Sequence, residues 1–204
     1  MIFKGLDPLD WQDQSAVARR TAQEQMPYYL QRYFGDSGEV DVLNQLRVST
    51  AGVVTQVDHL VLHPYGLVLV DSTSVSGPLQ VQEDGRWMCR HHNQVGMIRS
   101  PVAQAYLQTL SLRAFLEKKV QQKGFFERVQ LDVLVAVPDT EAIEWPSKGA
   151  LAEVCNIDEV PKRVRERVAQ YRSMGVGPGV LVPEQRRRLA QFLCLKHKPA
   201  PPQR

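Results

Sequence analysis

The chain has 204 residues, of which 43% are hydrophobic and 23% are charged. This length and composition predict one packed domain with appendages and exclude disordered and fibrous classes of protein. No run of about 18 apolar residues occurs and no secretory signal is visible, so we expect neither a membrane-spanning helix nor export. Three widely spaced cysteines form no disulfide framework, and we therefore expect a cytoplasmic protein.

The formal net charge of +3 is unevenly distributed along the chain. From Lys162 onward there are eleven lysines and arginines and two acidic residues, so this part carries +9 and the rest −6. A basic C-terminal part predicts contact with a polyanion, with Arg186, Arg187 and Arg188 as candidate residues. The alternative is a pair of solvated helix faces followed by a tail.

Hydrophobic periodicity predicts the first half of the chain as one helix, three strands and a short hairpin. On the helix, residues 12–34, one stripe containing Glu24, Tyr28 and Gln31 is expected to face a sheet. Strands are predicted over 40–48, 53–62 and 66–70, with the last two joined as a hairpin. Segments 79–82 and 86–90 predict a second, shorter hairpin.

The second half begins with a clear helix start at Ser100-Pro101. This helix is predicted to reach residue 119, with Val102, Leu107, Leu110 and Ala114 facing inward. A buried strand over 130–137, a short strand over 152–156 and helices over 159–173 and 183–195 follow. The order predicts an α/β domain with a mixed sheet between helices, and the Pro-rich end is expected to be disordered.

The long hairpin carries the most informative pattern. If His63 and Gly66 flank a two-residue turn, four cross-strand pairs share one face of the sheet. These pairs are Leu62–Leu67, Leu60–Leu69, Asp58–Asp71 and Gln56–Thr73. Two opposed carboxylates repel each other unless one is protonated or a cation lies between them, and a hard cation such as Mg²⁺ fits oxygen ligands. The alternatives are that both acids end their strands in solvent or that a shifted turn separates them.

Two further side chains bear on this pair of acids. Glu24, on the first helix, is a candidate to complete or orient the metal ligands, although a lone helix glutamate is more often a surface residue. His59 lies next to Asp58 in the strand, so alternation puts it on the opposite face. We expect His59 to be a hydrogen-bonded core histidine.

Several short motifs occur in a fixed order over residues 20–120. They are Gln23-Glu24, Gln56-Val57-Asp58-His59 with its hydrophobic continuation, Gly66 through Asp71, Gly77, Gly85-x-Trp87 and Ser100-Pro101-x-x-Gln104. Together they resemble the nuclease-related domain (NERD) family of the PD-(D/E)XK nuclease superfamily. The resemblance implies a restriction-endonuclease-like α-β-β-β-α-β core over 20–160, preceded by an extension over 1–19 and followed by basic helices over 161–196 and a tail over 197–204.

The resemblance also implies roles for individual residues. Asp58 corresponds to the metal-binding aspartate, Asp71 to the second acid and Glu24 to the helix acid of the family. Gln104 corresponds to the helix glutamine near the site, and Gln56 stands where it would orient the first acid or the attacking water. The implied activity is hydrolysis of DNA phosphodiester bonds with Mg²⁺ or Mn²⁺, without a small-molecule cofactor.

The chain departs from the family pattern at the lysine position, where it has Thr73. Threonine cannot supply the positive charge that stabilises a developing phosphorane. Asp71 also stands where the family usually has a glutamate, and Arg99, just before the helix that carries Gln104, is the basic candidate for compensation. The sequence thus leaves two hypotheses: a weakened metal-dependent nuclease, or an inactive nuclease fold that binds nucleic acid or a protein. It leaves open whether the chain forms a homo-oligomer.

Overall fold

A computed structural model describes residues 1–8, 14–50, 52–73, 78–91, 94–120, 126–137, 143–175 and 180–199. These ranges contain ten strands, four α-helices and one 3₁₀ turn. In chain order they are β1 (Ile2–Lys4), α1 (Gln14–Phe34), β2 (Asp41–Thr50), β3 (Val53–His63), β4 (Gly66–Ser72), β5 (Leu79–Val81), β6 (Trp87–His91), β7 (Gln94–Ile98), α2 (Pro101–Lys119), β8 (Gln130–Val137), β9 (Ile143–Glu144), β10 (Val154–Asn156), the 3₁₀ turn (Ile157–Glu159), α3 (Val160–Ser173) and α4 (Pro183–Lys196).

The main sheet is mixed and has the strand order β1-β2-β3-β4-β8-β10. Strands β2, β3 and β4 are antiparallel neighbours, whereas β8 runs parallel to both β4 and β10. A smaller sheet has the order β7-β6-β5-β9 and includes the predicted short hairpin of β5 and β6. The prediction of an α/β fold with a mixed sheet is confirmed.

The β3–β4 hairpin has the predicted register. His63 pairs with Gly66 across the turn, and the Leu62–Leu67 and Leu60–Leu69 pairs follow. A Cβ atom at Gly66 would lie only 2.0 Å from the carbonyl oxygen of Gln130 on β8. Glycine is therefore required at the start of β4, because the backbone of β8 passes too close for any side chain.

Helices cover both faces of the main sheet. On one face, the α2/α4 face, Leu60, Leu62, Leu67 and Leu69 pack with apolar residues of α2 and α4. On the other, the α1/α3 face, strand residues pack with apolar residues of α1 and α3. Strands β3 and β4 are buried on both faces as a result, which explains their nearly continuous hydrophobic sequences.

The predicted inward stripes of α1 and α2 are wrong except at Val102, which is partly buried against the core. On α1, Met26, Leu30 and Phe34 face the sheet, while Glu24 and Tyr28 are exposed. On α2 the inward residues are Ala105, Thr109, Leu112, Phe115 and Leu116. Leu107 and Leu110 are 65% and 59% exposed. Both helices carry apolar residues on more than one side, so periodicity alone selects the wrong stripe.

The remaining predicted elements differ from the structure mainly at their ends. The short strand predicted over 152–156 is β10, and the last two predicted helices are α3 and α4. The start of the first predicted helix, Gly77 and the last five residues lie outside the described part of the chain. No helix within the described residues is long and apolar enough to span a membrane.

Candidate active site

The ladder between β3 and β4 ends just before the two predicted metal ligands. Its last pair is His59–Val70, one step short of Asp58 and Asp71. Beyond it, the backbone N–H of Ser72 donates a hydrogen bond to Asp58 Oδ2 at 3.0 Å. A side-chain carboxylate thus binds a β4 amide just past the end of the ladder. The Asp58 carboxylate is held beside the β4 backbone at the residue that follows Asp71.

Strand β2 is distorted directly across from Asp58. Gln45 has φ = +49°, and the Gln45–Asp58 pair is missing from the otherwise regular β2–β3 register. Leu43 and Leu46 pack in the same core cluster although they are three residues apart, which a regular strand does not permit. Such local distortions re-aim side chains and are concentrated at functional sites. The direction of the Asp58 side chain is therefore set by this distortion and by Ser72.

Asp71 lies on the α2/α4 face at the end of β4. It follows Leu67 and Leu69 in the alternation and pairs with Val135 of β8, and all three of these neighbours belong to the core on that face. Burial in this apolar environment raises the pKa of Asp71 from 3.8 to about 6. A carboxylate that is desolvated in this way gains more from a bound cation than an exposed one does.

Thr73 and Gln56 do not form the predicted cross-strand pair. Thr73 is 5% exposed, and its backbone N–H donates to the carbonyl of Ala136 on β8 at 3.1 Å. Gln56 pairs instead with Arg47 on β2 and has an exposed side chain. Thr73 is thus a small, buried, neutral side chain at the end of β4.

A buried hydrogen-bond network supports the site from the α1/α3 side of the sheet. His59 is fully buried, with Nδ1 2.8 Å from Asn44 Oδ1 and Nε2 3.1 Å from Ser72 Oγ. Burial lowers the pKa of His59 to about 3, so the ring is neutral at physiological pH. This confirms the prediction of a hydrogen-bonded core histidine. Because Ser72 also binds Asp58, the network fixes the end of β4 at the site.

The helix residues predicted for the site differ in their placement. Glu24 is exposed on a helix that packs against the opposite face from Asp71. Gln104 is exposed in the first turn of α2, and Arg99 is exposed just before that helix. Within the described ranges, no group of three or more His, Cys, Asp or Glu side chains is close enough to hold a metal ion. The two predicted acidic ligands both lie at the end of the β3–β4 ladder, where Asp58 accepts from the Ser72 N–H and Asp71 is desolvated on the α2/α4 face.

Gln108, which the sequence prediction did not include, lies one turn after Gln104. Its Oε1 is buried and, among the described residues, has no hydrogen-bond partner. A buried amide oxygen without a partner costs free energy, so such atoms call for an explanation. The signal available in the sequence was a polar residue between Ala105 and Leu112 on what is now the inward stripe of α2.

The basic C-terminal residues do not form one patch. Arg186 is 1% exposed, and its Nε donates to Asp41 Oδ2 at 2.7 Å, so it has a structural role in this conformation. Arg187 and Arg188 are exposed, and Arg188 forms an ion pair with Glu184. Helices α3 and α4, which carry most of the basic residues, pack on opposite faces of the main sheet.

Comparison with known proteins gives one family. The family model described as "Nuclease-related domain" matches residues 19–138, which include β2, β3, β4, α2 and β8. The match covers more than half of the chain and contains Asp58, Asp71 and Thr73. No curated protein and no solved structure is significantly similar to the chain.

Proposed function

Because the chain belongs to the nuclease-related domain family, we propose that it is a metal-dependent DNA phosphodiesterase whose chemical step is slowed by Thr73. The observation that carries the proposal is the pair of carboxylates at the end of the β3–β4 ladder. Asp58 is oriented by the Ser72 N–H, and Asp71 is desolvated on the neighbouring strand. The order α1-β2-β3-β4-α2-β8 supports assignment of the fold to the PD-(D/E)XK superfamily.

The residues present fit a hard divalent cation. Membership in a nuclease-related family indicates dependence on a divalent metal in general. Mg²⁺ is commonly bound by one or two carboxylates together with waters and substrate phosphates, so two aspartates are a sufficient acidic set. The raised pKa of Asp71 favours either a proton or a cation at this carboxylate. Mg²⁺ or Mn²⁺ is the ion that we propose.

Each side chain has a distinct role in this proposal. A divalent ion supplies Lewis-acid polarisation of the scissile phosphate and lowers the pKa of water. Asp58 and Asp71 hold the ion, while the Ser72 N–H keeps the Asp58 carboxylate in one orientation. Gln56 and Gln104, both exposed, are proposed to contact the water or the DNA backbone. Glu24 is exposed on α1, which packs on the opposite face of the sheet from Asp71, so we leave it out of the proposed set of ligands.

Thr73 is the reason to expect slow turnover. Its side chain is neutral, short and buried, so it cannot place a positive charge on the phosphate in the transition state. Loss of one such electrostatic contact typically costs about 10²–10³ in rate. Arg99 is exposed immediately before α2, and we propose it as the cation that offsets part of this loss.

We propose that DNA is held mainly through its phosphates. Arg99, Arg187 and Arg188 are exposed cations, and contacts of this type give affinity that depends on salt but little on sequence. Replacing all three with alanine should weaken DNA binding and reduce the slope of log affinity against log salt concentration. Replacement of Arg186 would not test DNA contact, because this residue is buried against Asp41.

A second candidate is a nuclease fold that binds nucleic acid or a protein partner without cleaving DNA. The specific observation in its favour is Thr73, which is buried at the position of the family's lysine. In this case the carboxylate pair could still bind a cation, but no cleavage would follow.

A plasmid-nicking assay with Mg²⁺ or Mn²⁺ separates the two candidates. The phosphodiesterase predicts slow, metal-dependent nicking that Asp58→Ala abolishes, while the exposed control Asp36→Ala leaves it intact. Thr73→Lys combined with Asp71→Glu should raise the rate. DNA binding without nicking, by both the wild type and the Thr73→Lys/Asp71→Glu variant, would favour the binding module. Absence of both nicking and metal binding would refute the phosphodiesterase.

A further inference from the structure

We propose that the Gln108 side-chain oxygen is the third protein ligand of the cation site, either bound to the ion directly or through a water molecule. This inference rests on the proposed function. Neither the family motif nor the acidic pair includes Gln108. The observation behind it is that Gln108 Oε1 is buried with no hydrogen-bond partner among the described residues.

The second turn of α2 lies at the level of Asp71. Tyr106 Oη donates to Glu153 Oε1 at 3.1 Å, and the Glu153 carbonyl accepts from the backbone N–H of Val135 at 2.7 Å. Val135 is the residue of β8 that pairs with Asp71. This chain of contacts aligns the start of α2 with the end of β4 that carries the carboxylates.

The rotation of α2 then directs Gln108 toward β4. Glu153 immediately precedes β10, which is the edge strand next to β8. Because Tyr106 binds Glu153, the side of α2 that carries Tyr106 faces this edge of the sheet. Gln108 is two residues further along, roughly 200° around the helix axis, on the opposite flank. Side chains on a helix lean toward its N-terminus, which brings the amide of Gln108 toward the end of β4.

The chemistry of the amide oxygen matches the site. Two carboxylates already balance the charge of a divalent ion, so a neutral oxygen adds a ligand without adding repulsion. A buried acceptor that lacks a partner in the metal-free protein gains one when the ion or its water arrives. Glu24, the acid implied by the family, is exposed on α1, so Gln108 supplies an oxygen that this acid does not.

The test measures two quantities. Mn²⁺ affinity is measured by calorimetry and by the electron paramagnetic resonance signal of free Mn²⁺. The melting temperature is measured on the metal-free protein. Gln108→Met removes the oxygen and keeps the length of the side chain. Gln191→Met is the matched control, because Gln191 is an exposed glutamine on α4. Gln108→Glu keeps an oxygen in place and adds a charge.

We expect Gln108→Met to raise the melting temperature of the metal-free protein, because an unpartnered acceptor is removed, and to weaken Mn²⁺ binding by about 10-fold or more. Gln108→Glu should lower the metal-free melting temperature and retain or tighten Mn²⁺ binding. The control should change neither quantity. A lower melting temperature for metal-free Gln108→Met would show a purely structural glutamine and overturn the inference.

Mn²⁺ affinity of Gln108→Met within twofold of wild type would also overturn the role of Gln108. In that case wild-type binding would still support the carboxylate site, so the proposed function would stand. If wild-type protein binds no Mn²⁺ while remaining folded, both the inference and the metal-dependent function fail.

Discussion

The desolvated carboxylate of Asp71 should make the protein less stable at neutral pH than it would be with an uncharged side chain. Burial raises the pKa of Asp71 from 3.8 to about 6, so the folded state holds this proton more tightly than the unfolded state. The stability gained from the proton is present below pH 3.8 and is lost as the pH rises through about 6. Asp71→Asn removes the charge with almost no change of shape and should therefore stabilise the protein.

The size of the effect follows from the pKa. A rise from 3.8 to about 6 corresponds to about 3 kcal/mol, because each pKa unit is about 1.4 kcal/mol. Asp71 is only partly buried in the folded protein, and solvent screening lowers the expected gain to about 1–3 kcal/mol. The difference between Asp71→Asn and wild type should be small at pH 4 and reach its full value by about pH 7.

Urea denaturation of both proteins at pH 4, 5, 6, 7 and 8 without divalent ions measures this difference directly. Asp36→Asn is the control, since Asp36 is exposed in the turn after α1 and the same change there should have little effect. Asp71→Asn that is equally stable or less stable than wild type at pH 7 would refute the reasoning. A constant difference from pH 4 to pH 8 would also refute it, because titration of Asp71 could then not be the cause.

Three other predictions concern the stability of the fold. Arg186→Met should lower the free energy of unfolding by up to about 3–5 kcal/mol, because it removes the buried guanidinium partner of the Asp41 carboxylate and leaves only the more exposed N-terminal ammonium, 3.6 Å from Asp41 Oδ1; an unchanged urea midpoint would contradict this. Gly66→Ala should cost about 3 kcal/mol or more in the same assay, since the new Cβ meets the β8 backbone at 2.0 Å. Gly96→Ala is its control, with no atom within 4 Å of the new Cβ, and similar losses for both variants would be evidence against the clash. His59 has its pKa lowered to about 3, so its contribution to stability should fall as the pH drops below 6.5, by up to about 1.4 kcal/mol per pH unit. His59→Gln should flatten this dependence between pH 6 and pH 4, and parallel curves would argue against it.

The residue pairing in the β3–β4 hairpin shows how much of the structure can be predicted from side-chain alternation and turn length. The turn between His63 and Gly66 and the two leucine pairs follow from alternation and turn length, and the structure has them. The same rules, carried one step further, pair Asp58 with Asp71. The ladder ends before that pair, because β2 is distorted at Gln45 and Asp58 binds an amide of β4. Strand periodicity predicts hydrogen bonds between backbones. It does not predict that a side chain such as Asp58 will accept the hydrogen bond of a neighbouring strand's amide instead.

Helix orientation was the main source of error. Leu107 and Leu110 form an apolar stripe as convincing in the sequence as the one that packs on the sheet, and both are exposed. Choosing that stripe concealed Gln108, whose side chain lies on the inward side of α2. The same uncertainty applied to Glu24 on α1. When a helix has apolar residues on several sides, the surface against which it packs decides which side faces inward. The pattern of apolar residues along the helix does not identify that side.

By itself, the sequence determined the α/β class, the hairpin register and the family, because each depends on residue type and on spacing along the chain. Tertiary structure alone decided that Arg186 is buried against Asp41, that Asp71 is desolvated and that an amide oxygen of α2 is left without a partner. These properties depend on which distant segments meet. Burial and electrostatic environment are set by such contacts, so they become defined only when the chain is folded.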